Sequence, residues 1–186
     1  MTPGKGQLVL GTATLGLDGG REDAFALLDA FVDLGGAVID TAAVYNDWVP
    51  GEVRRAEGII GDWRRQRPRR DIFICTKGAH PPLADMSRAR LDDASISEDV
   101  EQSLRRLRVE QLDLLYLHRD DPSRPVESIL EVLARLVAAG KIAAVGLSNW
   151  TGARLAAARR SGIVPIASNQ VLGNVLSRHM APPADP

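Results

Sequence analysis

Short, wholly apolar runs alternate with longer stretches of helical periodicity along the chain, and this alternation most narrows what the chain can fold into. The apolar runs lie at 7–10, 37–39, 71–75, 112–117, 142–147 and 164–167. Between the first of them, Phe25, Leu28, Phe31 and Val32 recur at helical spacing within 21–34, a stretch that Gly35-Gly36 stops. Residues 51–66 repeat the pattern with Val53, Ile59, Ile60 and Trp63. A third helix is expected from Ser95 or Ser97, either of which can cap it, to about Leu107. Two more are expected over 126–139, closed by Gly140, and over 151–160. Strands that are apolar throughout are buried on both faces, as in a parallel sheet covered by helices. Six such strands joined by five helices imply parallel pairing through helical crossovers. An open doubly wound sheet and a closed barrel both satisfy that pattern.

Composition removes other classes. With 45% hydrophobic and 25% charged residues the chain has the proportions of an ordinary globular domain. A net charge of −1 supplies no basic field for nucleic acid. No stretch approaches the roughly 20 apolar residues of a membrane span. The N-terminal residues lack a basic region followed by an apolar run, so no secretory leader is expected. The single cysteine, Cys75, excludes an internal disulfide and suits a cytoplasmic location; it reads as a small buried hydrophobe. The expected domain is 1–178, followed by a Pro-rich tail at 179–186.

Polar residues gather where the strands end: Asp40-Thr41, Thr76-Lys77-Gly78, His118-Arg119-Asp120-Asp121, Ser148-Asn149-Trp150 and Ser168-Asn169-Gln170. In a parallel α/β fold these positions open onto one face, where active sites sit. Any one of them is explained equally well as a helix cap. Capping explains five in succession poorly, because a lysine and a histidine are poor caps. The first turn, GTATLGLDGG, lacks the G-x-G-x-x-G spacing, and neither a phosphate-binding P-loop nor a G-x-S-x-G elbow is present. His80, His118 and His179 show no metal-ligand spacing with one another or with Cys75, so no metal is expected. His80 lies in a long, proline-containing loop over 78–94 and reads as a surface residue; Tyr116 reads as core.

Five of these segments, in order, resemble one family. GAVIDTAAVYNDW resembles the aldo-keto reductase motif in which an Asp ends the second strand and a Tyr follows five residues later. ICTKGAH resembles its strand-three lysine, LDLLYLHRDD its strand-four histidine, GKIAAVGLSNW its Ser-Asn pair and IASNQ its strand-six Gln. The resemblance covers nearly the whole chain and implies the (β/α)8 TIM-barrel type. It implies NADPH-dependent reduction of an aldehyde or ketone, or the reverse oxidation, with NADH also possible as cofactor. Asp40, Tyr45, Lys77 and His118 would then form the catalytic set. Tyr45 would protonate the carbonyl oxygen as general acid. Lys77 would favour its phenolate, Asp40 would hold Lys77, and His118 would orient the substrate. Ser148, Asn149 and Gln170 would bind the nicotinamide, with Gly11, Thr12 and Asp40 lining the cofactor floor. Trp48 would wall the substrate pocket; Trp150 would either do the same or pack at a helix start.

Two departures stand out. Many members have Gly directly after the tyrosine, where this chain has Asn46; with Asp47-Trp48 and KGAHPP it resembles a bacterial-type subgroup. The chain also has 186 residues, whereas such barrels typically need about 250. About six βα units are therefore expected, and the barrel is read as C-terminally truncated. A small-molecule carbonyl or alcohol is the expected partner. Open barrel edges would allow completion by a partner chain, self-association, or a non-catalytic role as an interaction module.

Overall fold

The computed structural model describes residues 8–52, 54–67 and 72–173. Val53, Asp71, His179 and the tail at 179–186 lie outside them. The described residues form β1 (Leu10–Gly11), α1 (Gly20–Asp33), β2 (Val38–Asp40), α2 (Arg55–Gln66), β3 (Phe73–Gly78), α3 (Asp93–Leu107), β4 (Leu114–Leu117), α4 (Val126–Ala138), β5 (Val145–Ser148), α5 (Gly152–Ser161) and β6 (Ile166–Gln170). All neighbouring strands pair in parallel, in the sequential order β1-β2-β3-β4-β5-β6. Sequential order identifies the barrel type, because a doubly wound sheet reverses direction partway. Six strands of the barrel are present, and β1 and β6 are the two edges of the described sheet.

Side chains alternate across the strands and divide the apolar residues into two cores. Ile39, Ile74, Leu115, Leu117, Val145 and Leu147 face the helix layer and join its core. Val38, Cys75, Leu114 and Tyr116 form a second, smaller cluster on the inner face. Cys75 is buried there, and burial pushes its thiol up to about 12, as expected of a packing residue. Tyr116 is buried too, and its hydroxyl lies 2.6 Å from Ser168 Oγ.

The helix ends follow backbone hydrogen bonding closely. At the end of α1, Gly36 N donates to Phe31 O and Gly35 N to Val32 O, a Schellman motif requiring the left-handed backbone at Gly35 (φ +88°). The same pair of bonds recurs at Gly140 after α4. The third helix begins earlier than Ser95 or Ser97. Asp92 is its cap, because its carboxylate accepts from Ser95 N at 2.9 Å while its backbone is still extended. Helix α2 begins at Arg55 rather than Gly51, since Gly51 and Arg54 both adopt left-handed conformations. Strand β3 extends past Cys75 to Gly78. Polar side chains do not end a parallel ladder, whose bonds are made by backbone alone.

Helices α2 and α3 pack unusually closely at Gly61, where an added Cβ would lie 2.0 Å from Arg106 O. Gly58, on the same helix, has open space beside it. Gly61→Ala is therefore expected to destabilise the fold by about 2 kcal/mol through overpacking. Gly58→Ala is expected to stabilise it by roughly 0.5–1 kcal/mol through helix propensity. Urea denaturation of the two variants checks the contrast, and equal effects would contradict the packing described.

Candidate active site

Alternate side chains at the C-terminal ends of the strands reach the inner face, and the most buried charged one is Lys77 (2% exposed). A buried ammonium is tolerated only when its donors are satisfied. The three donors of Lys77 Nζ reach Asp40 Oδ2 at 2.6 Å, Thr41 O at 2.9 Å and Tyr45 Oη at 3.1 Å. Asp40, at the end of β2, is itself buried, and its second oxygen accepts from Gln170 Nε2 of β6 at 3.3 Å. Its backbone carbonyl receives both the N–H and the hydroxyl of the buried Thr12. Asp40, Lys77 and Tyr45 thus form one bonded unit.

Tyr45 sits on the loop after β2, and the following residue shapes that loop. Asn46 adopts a left-handed backbone (φ +75°), which glycine accepts freely and asparagine tolerates best among the others. Its buried amide also donates to Leu15 O at 3.0 Å, tying the loop to the segment after β1. This accounts physically for an asparagine where a glycine was the expected residue. Trp48, about half exposed, meets the Tyr45 ring edge-on at 6.2 Å between centroids.

His118 follows β4 and also meets the Tyr45 ring edge-on, at 6.2 Å. Its Nδ1 is buried without a hydrogen-bond partner among the described residues. A buried N–H lacking an acceptor is costly, so the proton of the neutral ring belongs on Nε2. Burial, with the charges of His80, Lys77 and Arg119 adding to it, pushes the His118 imidazole down to about 3. His118 is thus a neutral hydrogen-bond donor near pH 7. His80 corrects the surface reading: it is half-buried, with its ring 4.7 Å from that of His118. The signal for it in the sequence was faint, since only the turn of the chain after β3 brings it back over β4.

Ser148, Asn149 and Gln170 come together at the ends of β5 and β6. Asn149 is left-handed (φ +60°), and its side-chain amide donates to Ser148 Oγ at 3.0 Å and to His118 O at 3.3 Å. Its backbone N–H donates to Gln170 O at 2.9 Å. A hydroxyl and two primary amides match a carboxamide, which offers N–H donors and a carbonyl acceptor, so this donor set fits a nicotinamide ring. Gly11 is exposed on the edge strand β1, with nothing within 4 Å of where its Cβ would be. Trp150 is fully buried in the helix-layer core with Arg154 over its ring at 5.0 Å; of its two expected roles, these are the surroundings of a packing residue. Among the described residues no group of three or more His, Cys, Asp or Glu is placed to hold a metal ion. None of the described helices is long and apolar enough to cross a membrane.

A family model described as the aldo/keto reductase family matches residues 7–183. The chain belongs to that family. It is 34% identical over 169 residues to the aldo-keto reductase str7 of Strobilurus tenacellus, covering 87% of this chain and 46% of that protein. It is 33% identical over 176 residues to an aryl-alcohol dehydrogenase (NADP+) of Phanerodontia chrysosporium, covering 86% and 44%. Among solved structures, a glycerol dehydrogenase from Gluconobacter oxydans superposes with a TM-score of 0.77 at 31% identity, over 96% of this chain and 56% of that one. The chain therefore spans about half the length of these aldo-keto reductases. The family is one of oxidoreductases and generally uses NAD(P)H.

The depressed His118 has a consequence for stability. Its folded value of about 3 lies below the ordinary 6.5, so at acid pH the unfolded chain binds the proton more readily. The contribution is intact above pH 6.5 and is lost as pH falls toward 3. Between pH 7 and pH 4 the loss is on the order of 2–3 kcal/mol. His118→Gln is expected to flatten this slope in urea denaturation measured across that range; identical slopes would contradict a neutral buried imidazole.

Proposed function

We propose that the chain carries the reducing site of an NADPH-dependent aldo-keto reductase, converting an aldehyde or ketone to an alcohol or running the reverse oxidation. The observation that carries this reading is the Lys77 ammonium, bonded at once to the Tyr45 hydroxyl (3.1 Å) and the Asp40 carboxylate (2.6 Å). When bound, the nicotinamide cofactor supplies the hydride. Tyr45 gives its proton to the carbonyl oxygen as general acid. The negative charge left on Tyr45 Oη then faces the Lys77 charge at hydrogen-bond distance, in surroundings that screen little. Asp40 balances Lys77 and holds its Nζ in place. His118, neutral and protonated at Nε2, donates to the substrate oxygen and orients it as charge develops there.

Ser148, Asn149 and Gln170 are proposed to hold the nicotinamide carboxamide, and Asp40 and Thr12 to support the floor beside it, with Gly11 at the margin. NADPH is favoured because one relative is named for NADP+, and NADH is the second choice. Trp48, edge-on to Tyr45, is proposed to wall the substrate pocket and to favour flat apolar carbonyl compounds. A reducing compartment such as the cytoplasm suits both the cofactor and the single free cysteine.

The test is NADPH oxidation by the purified chain with an aromatic aldehyde, beside cofactor binding measured separately by fluorescence. Tyr45→Phe is expected to lower turnover by about 10²-fold or more while leaving NADPH affinity within about threefold, as removal of a general acid does. Unchanged turnover would overturn the role given to Tyr45. Failure of the chain to bind NADPH even at millimolar concentration would overturn the reading for this chain.

A further inference from the structure

The roles proposed for Asp40, Tyr45, Lys77 and His118 leave His80 unused, although its ring touches that of His118. A catalytic histidine is ordinarily oriented by a hydrogen bond from its second ring nitrogen. Among the described residues His118 lacks that bond, because its buried Nδ1 has no partner there. Its orientation therefore rests on packing, against the Tyr45 ring at 6.2 Å and the closer His80 ring at 4.7 Å.

The His80 ring is itself held firmly. Its Nδ1 lies 2.7 Å from Pro81 O. A carbonyl can only accept, so Nδ1 carries the proton of the neutral ring. The turn bearing His80 is held in turn by α3. Asp99 (2% exposed) accepts Ala79 N at 2.8 Å and both terminal nitrogens of Arg90 at 2.8 Å, and Arg90 reaches back to His80 O at 3.3 Å. These bonds sustain a left-handed backbone at Ala79 (φ +60°), a strained conformation for a residue with a Cβ. A loop that merely covered the surface would not need a buried carboxylate and a bidentate arginine to keep it in such a shape.

We propose that His80 is a positioning residue for His118, bracing its imidazole from the turn after β3 so that the Nε2 edge is presented to the site. The inference rests on the carbonyl-reductase reading for its use in catalysis, while the bracing itself is a property of the fold. The charged and titratable groups facing the pair are Lys77 from β3, Arg90 and Arg119 from the following loops, and Asp47 and Tyr45 from the loop after β2. Four of these six bracing partners and neighbours, counting His80 itself, are cations or can become so, which favours two neutral rings over a charged one.

The test is nitrogen-15 imidazole NMR of the full chain, with His80→Ala and His80→Phe beside the parent. The parent is expected to show His118 as a single neutral tautomer, protonated at Nε2, down to at least pH 5. His80→Ala is expected to average the two His118 tautomers and raise its titration midpoint by at least one pH unit. His80→Phe, which keeps a ring in place, is expected to restore the single tautomer. In turnover, His80→Ala is expected to lower kcat about tenfold with KM nearly unchanged, and His80→Phe to recover most of it. If His80→Ala does not fold, His80→Leu, closer in volume, carries the same measurement. A His118 spectrum and titration unchanged by His80→Ala or His80→Leu would overturn the proposal. Altered His118 spectra in a chain without carbonyl reduction would support the bracing and count against the enzymatic reading alone.

Discussion

A lysine ammonium placed where almost no water reaches it must find acceptors for its donors, and the upper end of this sheet is organised around that requirement. Lys77 meets it with a carboxylate, a backbone carbonyl and a phenol, all contributed by β2 and the loop after it. That demand requires β2 beside β3 in parallel, with Asp40 opposite Cys75, so that Asp40 and Lys77 converge on the inner face. It also requires the chain after Asp40 to turn back sharply enough to return Tyr45. Removing Asp40 or Lys77 would leave the other's buried charge uncompensated, and removing the Tyr45 hydroxyl would leave one Lys77 donor unmet, so the three residues act as one unit.

The supports of this unit lie further out and are mostly polar. Thr12 fastens the carbonyl of Asp40 from just after β1, and Gln170 bonds the carboxylate from β6, so both edges of the sheet reach the same residue. Asn46 ties the tyrosine loop to Leu15, and Asp99 ties the histidine turn to α3. Behind them, Glu57 of α2 is fully buried, accepting from Thr76 Oγ1 at 2.6 Å and from Arg106 Nε at 2.6 Å. Strand β3 is thereby bonded through its outer face to the helix layer while its inner face carries Lys77. The two faces of one strand do different work because successive side chains point in opposite directions.

Much of this was legible beforehand, for identifiable reasons. The six strands and five helices follow from hydrophobic periodicity, and Phe25, Leu28, Ile59, Ile60 and Trp63 do face the core. Asp40, Lys77 and His118 were readable as polar residues at strand ends, where a parallel sheet must open on one side, whereas Tyr45 and the roles of all four came from the resemblance to the family's motifs. Element ends were less legible. Asp92 competes with two nearby serines for the same cap, and only the backbone shows which residue remains extended. The ends of β3, β5 and β6 were set too early because polar residues were taken to terminate the strands, whereas the ladder continues beneath them.

The sequence by itself determined the alternation of strand and helix, the chemical identity of the groups at the strand ends, and membership of a family whose members share them in order. Those are properties of residue type and spacing, which the chain carries whether folded or not. Tertiary structure alone decided that Trp150 lies in the core, that Asn46 occupies a backbone suited to glycine, and that His80, half-buried, packs on His118. Each of these depends on the path of a loop between two elements, and that path is set by contacts such as Asp99 with Ala79 or Asn46 with Leu15, made between residues distant in the chain. Local pattern has no means of expressing such contacts, because neither partner changes the periodicity around the other.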